Sequence, residues 1–193
     1  MGTRHITAVY LDGNYKVAQY GQWDGYPEGA GMNVLNFART IADETARKSF
    51  AEKVRACTWL SPKEERAINQ KIQSGALINW QRVYPEFSRD TGSDILKMIV
   101  YRDAPLKLQN NISFVADSLF CEWVWLIDLD AGRFEGYEGF CKVPPEEGDR
   151  WYFLKDYCEN GYYTPVLACD FPLDDLPTDD EFLNAFKTDE QEA

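Results

Sequence analysis

The residues best equipped for chemistry lie near the start of the chain. The stretch Thr3–Gly31 reads TRHITAVYLDGNYKVAQYGQWDGYPEGAG and holds the only histidine, His5, beside Arg4. Gln22, Trp23, Asp24 and Tyr26 follow closely, and five of the chain's 13 glycines fall within the same stretch. A cation, a titratable ring, a carboxylate, an amide and two aromatic faces suit recognition of a ligand or partner. Glycine lets backbone approach such a ligand, aromatic faces stack on it, and the polar groups orient it. Asp90, in Ser88-Arg89-Asp90-Thr91-Gly92-Ser93, is expected at the edge of this site. Free amides at the start of a helix there, with Arg89, could hold a carboxylate or phosphate. Asp90 as a plain helix cap is the competing assignment. The expected binding residues are thus Arg4, His5, Gln22, Trp23, Asp24, Tyr26 and Asp90.

A catalytic assignment finds less support. Cys57 or Cys121 as nucleophile would need a base, and His5 is the single histidine. The chain carries no Walker loop, no GxSxG elbow and no HExxH pair. Its five cysteines form no CxxC pair, so no zinc set is expected. No catalytic residue, metal or cofactor is assigned.

The elements that must carry these residues follow from period and turn chemistry. Ile6, Ala8 and Tyr10 alternate with Thr7, Val9 and Leu11, and Asp12-Gly13-Asn14 leads into a second strand to Tyr20. A helix with Asn33 as cap is predicted to run to about Ala56. Ser61-Pro62-Lys63-Glu64 reads as a capping box with proline at the first helical position, and Gly75 as its stop. Leu77–Phe87 carries no clear signal. A further helix begins near Ile95. Glu122–Asp130 reads as a strand that is apolar on both faces, hence central and covered on each side. Phe134–Phe140 returns from a turn at Asp130–Arg133, and Pro144–Asp149 reads as a solvent loop. Trp151–Leu154 and Tyr162–Cys169 are predicted strands, and Thr178–Glu181 is a second capping box. This order predicts an α+β fold, a single domain over 1–193 with largely antiparallel sheet and packed helices, ending in a frayed acidic tail at 187–193.

Gly2-Thr3-Arg4-His5 followed by AQYGQWDGYPEG resembles a family of uncharacterised phage and fungal proteins. FSRDTGSDIL and DSLFCEWVWLIDLD resemble later stretches of the same family, so the similarity covers most of the chain. In some members a cysteine follows the initiator methionine, an arrangement distantly similar to the N-terminal nucleophile hydrolases. Those enzymes place a Cys, Ser or Thr on a first strand, followed by a hairpin and an Asp-bearing loop. The resemblance implies a four-layer αββα arrangement and amide hydrolysis. Here Gly2 occupies the nucleophile position and supplies none.

Composition frames the rest. The 193 residues are 45% hydrophobic and 15% aromatic, enough for a real core, and their apolar runs are too short for a bilayer. The polar start shows no signal peptide, so a cytoplasmic protein with reduced thiols is expected. The net charge of −12 is uneven. Through Asn110 there are 15 Lys+Arg against 12 Asp+Glu, and from Asn111 there are 5 against 20. Direct nucleic-acid binding needs a basic footprint and is not expected. These features together predict a non-catalytic acidic binding protein, a phage accessory or counter-defence factor acting on a host protein or small-molecule ligand. The alternatives are an amide hydrolase of N-terminal nucleophile type and an acidic inhibitor that mimics DNA.

Overall fold

The computed structural model describes residues 2–187. The acidic tail expected at 187–193 lies, apart from Lys187, outside the described residues. Strands β1 (His5–Leu11) and β2 (Asn14–Gly21) form the first hairpin. Asp12 and Gly13 turn it with φ of 53° and 71°, the left-handed conformation that an Asp-Gly pair adopts at least cost. The polypeptide then makes a π-helical turn at Pro27–Gly31 and enters α1 (Met32–Thr40), α2 (Glu44–Ala56), a short strand β3 (Thr58–Trp59) and α3 (Pro62–Gln73). A single turn, α4 (Trp80–Val83), leads to α5 (Ile95–Tyr101) and strand β4 (Lys107–Leu108), which pairs with β3.

The second hairpin is β5 (Trp123–Asp128) and β6 (Arg133–Glu138); β7 (Val166–Pro172) and α6 (Asp179–Asn184) follow. All five long strands share one sheet in the order β2-β1-β5-β6-β7. The two hairpins meet through a parallel ladder, with His5 beside Trp123 and Tyr10 beside Asp128. Every other pairing in this sheet is antiparallel. The described residues therefore hold one large sheet and one two-residue pair. The chain is a single α+β domain, and no described helix is long and apolar enough to cross a membrane.

Strand alternation divides the core into two. Val9, Trp125, Ile127 and Phe134 face α1, α2, α5 and Phe182 of α6. Ile6, Ala8, Val124, Leu126 and Tyr137 face the opposite side, covered by 3-10 turns at Ile112–Ala116 and Tyr152–Tyr157. That is why β5 is apolar on both faces.

Three segments depart from the sequence expectation. The helix predicted from Asn33 to Ala56 is two helices, because the Asp43 carboxylate accepts from the backbone N–H groups of Thr45 and Ala46 and starts α2 afresh. Local capping outweighs the continuous apolar stripe. Trp151–Leu154 is not a strand: Leu154 N–H donates to the Trp151 carbonyl, and the two buried side chains, three residues apart, lie on one side of a 3-10 turn. The last strand is displaced to Val166–Pro172, beginning after Pro165, which has no N–H for a ladder.

Gly136 sits across from Trp125 in the β5–β6 ladder. A Cβ there would lie 2.5 Å from the indole Cζ3 and 2.7 Å from Cys169 Sγ, both walled in by core. Gly136→Ala is expected to destabilise the fold by about 1–3 kcal/mol through overpacking, measured as a lower urea midpoint. In the parent protein, amides of Val124–Ile127 are expected to exchange most slowly of all.

Candidate functional site

His5 opens β1 and pairs with Gly21 on one side and Trp123 on the other. Its ring is 2% exposed and fills the space left by Gly21, Gly25 and Gly92, where added Cβ atoms would crowd it. Neither ring nitrogen has a hydrogen-bond partner. Burial drives its pKa down to about 4, with the Thr3 carbonyl and the Asp24 charge offsetting part of the shift. The imidazole is therefore neutral at physiological pH and acts as a packing unit under the loop.

Above it the loop is tied down piece by piece. Gly25 N–H donates to the Thr3 carbonyl at 2.9 Å, and the Trp125 indole N–H donates to the Gly25 carbonyl at 2.8 Å. Gln22 N–H donates to the Arg89 carbonyl, while its side-chain oxygen accepts from the Tyr20 hydroxyl at 2.6 Å. The Trp23 indole N–H donates to Asp90 Oδ1 at 2.8 Å, and Arg89 lies 5.8 Å from the Trp23 ring centroid. Asp24 adopts φ of 51° and accepts from the Tyr26 hydroxyl at 3.1 Å. That acceptor raises the Tyr26 pKa. Arg4 is engaged elsewhere, its guanidinium 4.4 Å from the Phe120 centroid and 3.8 Å from Glu122.

The structure thus joins Trp23 to Asp90 and Asp24 to Tyr26 at the surface, with His5 sealed beneath and Arg4 against Phe120. Asp90 does not cap a helix. Its carboxylate is spent on Trp23, and the helical turn at Gly92–Asp94 leading into α5 has no side-chain cap.

A well-formed concavity lies elsewhere and is lined by none of these seven residues. A cavity of about 800 Å³ opens beside β1, β5 and β6, walled by Tyr10, Tyr15, Tyr137 and Trp151 and by the Val143–Phe153 segment. Arg150 stands in it. One terminal nitrogen donates to Asp128 Oδ2 at 2.6 Å and to Glu135 Oε1 at 2.7 Å, and Nε donates to the Tyr137 hydroxyl at 3.0 Å. Tyr137 in turn donates to the second oxygen of Glu135. Asp128 and Glu135 are only 3% and 6% exposed. Burial opposes the Arg150 charge, but the two carboxylates outweigh it and raise its pKa. Burial also raises the pKa values of Tyr15 and Tyr137, which remain neutral phenols. The Tyr15 ring stacks on Trp151 at 5.3 Å, and Tyr10 meets Tyr15 edge-on at 5.0 Å.

Chemically, this arrangement can bind and orient. Arg150, Asp128 and Glu135 hold one another, and no thiol lines the cavity. Cys57 and Cys121 are held above the usual thiol range by burial, which disfavours the thiolate. Among the described residues no group of three or more His, Cys, Asp or Glu side chains is placed to hold a metal ion. The sequence reading missed this cavity, although it carried a trace of it. Asp128 ends an otherwise apolar strand, and Glu135 and Tyr137 share one face of the next. The Pro144–Asp149 segment is the solvent-facing loop its composition predicts, and it also forms part of the wall.

No protein-family model, no curated protein and no solved structure matches the chain.

The His5 environment has a pH signature. Its folded-state pKa of about 4 lies below the ordinary 6.5, so the unfolded chain binds the proton more tightly. The His5 contribution to stability is fully present above about pH 6.5 and is lost as pH falls towards 4, with an expected loss of about 2–3 kcal/mol at pH 4.5. Urea unfolding between pH 7.5 and 4.5 should show this loss, and His5→Asn should flatten that part of the profile.

Proposed function

We propose that the protein is a non-catalytic binding protein that holds a small organic molecule in the cavity around Arg150. The observation carrying this is the cavity itself. It pairs aromatic walls with a mutually hydrogen-bonded Arg150–Asp128–Glu135–Tyr137 cluster, the combination of apolar surface and few oriented polar groups typical of ligand sites. A buried ion cluster is a poor source of stability, so a role in recognition accounts for it better than folding does.

The exposed loop supports a second surface. Trp23 is 47% exposed yet held at a fixed angle by Asp90, which suits stacking against a host-protein partner. The accessory or counter-defence role rests on the family resemblance. Amide hydrolysis is the weaker reading, because Gly2 packs against the Gln22 carbonyl and the Trp23 ring, leaving no space for a nucleophile's Cβ without moving the loop. DNA mimicry also fits less well, since Asp128, Glu135, Asp170 and Asp179 are paired with arginines.

Native mass spectrometry of protein purified from its host should reveal a small molecule released on denaturation. Phe153→Ala, in the cavity wall, should weaken its retention about tenfold, while Trp23→Ala leaves it intact and instead weakens recovery of a protein partner by about 1–3 kcal/mol. Loss of the small molecule in Trp23→Ala alone would move the ligand site to the N-terminal loop. Absence of any bound molecule, with no stabilisation by a metabolite library, would remove the cavity from the function.

A further inference from the structure

We infer that the ligand of the Arg150 cavity is an organic cation, a primary ammonium or guanidinium on an apolar or aromatic body. This rests on the cavity being the ligand site. The charges around the space are one arginine against five carboxylates, Asp128, Glu135, Glu146, Asp149 and Asp170. Arg150 is already shared between the two deepest of these, at 2.6 and 2.7 Å, so the floor of the cavity keeps a negative balance. Of the other three, only Asp170 is offset, by Arg133 at 2.6 Å. An anionic ligand would have to sit beside Asp128 and Glu135 in a setting where their repulsion is weakly screened.

The oxygens also have capacity left. Asp128 Oδ2 and Glu135 Oε1 each accept one bond from Arg150, and a carboxylate oxygen has a second lone pair. A second feature of the wall agrees. Arg150 already lies 5.4 Å from the Tyr10 ring centroid, so the aromatic lining accepts a cation in the folded protein itself.

Calorimetric titration of the full chain with phenethylammonium and butylguanidinium, beside 3-phenylpropanoate and 2-phenylethanol, tests the inference. The cations are expected to bind at least about tenfold more tightly than the carboxylate and the alcohol. Glu135→Gln keeps the shape and removes one charge, and should weaken the cations about tenfold while sparing the alcohol. If that variant does not fold, Glu146→Gln at the exposed rim should weaken the cations about twofold and lower the salt dependence of binding. Equal or tighter binding of 3-phenylpropanoate or 2-phenylethanol would overturn the cationic class and leave a cavity that binds ligands. No heat from any of the four up to about 10 mM would overturn both this inference and the cavity as a ligand site.

Discussion

The fold depends on Trp125. It lies at the middle of the central strand, fully buried, and its ring stacks on Trp123 at 5.3 Å and packs against Phe134, Phe182 and Phe186. Its single polar atom donates to the Gly25 carbonyl. One side chain therefore joins the N-terminal loop, the second hairpin and the C-terminal helix. Buried indoles are seldom left without a partner, so the bond to Gly25 also dictates how closely the loop approaches the sheet. His5, sealed below that loop, is a consequence of the approach.

The turns reinforce the same junction from the other end of the sheet. Asp130 accepts the backbone N–H groups of Asp12 and Gly13, each at 2.8 Å, so the turn of the second hairpin closes the turn of the first. Arg55 of α2 then grips Asp12 with two bonds of 2.8 and 2.9 Å, holding the Asp12 pKa down. This exposed pair adds little stability by itself but places α2 against the hairpin end.

With one face of the sheet committed to helices, the other is covered, among the described residues, by 3-10 turns and loop segments that include Val143–Phe153. Such cover is irregular and leaves the cavity where β1, β5 and β6 present Tyr10, Asp128 and Glu135. The same face explains why charge can be buried there: Asp128 stabilises its own turn by accepting from Asp130 and Ala131 with one oxygen, and meets Arg150 with the other. An isolated carboxylate at that depth would be costly, whereas a cluster in which each charge is hydrogen-bonded is tolerated.

Much of this was legible in the residues alone. The Asp-Gly turn, the capping boxes at Ser61 and Thr178, and the doubly apolar run Trp123–Ile127 are local signals, and the elements formed where those signals lie. Tertiary structure decided what these elements do to one another. The parallel register that sets His5 beside Trp123 joins strands over 100 residues apart, and no period in either strand encodes it. Asp90 meets Trp23 and caps no helix, and Arg150, which no local signal singled out, meets Asp128, 22 residues earlier. Period and turn chemistry act over a few residues, so they determine the pieces. Which polar groups must find one another depends on where water is excluded, and that is known only once the pieces have packed.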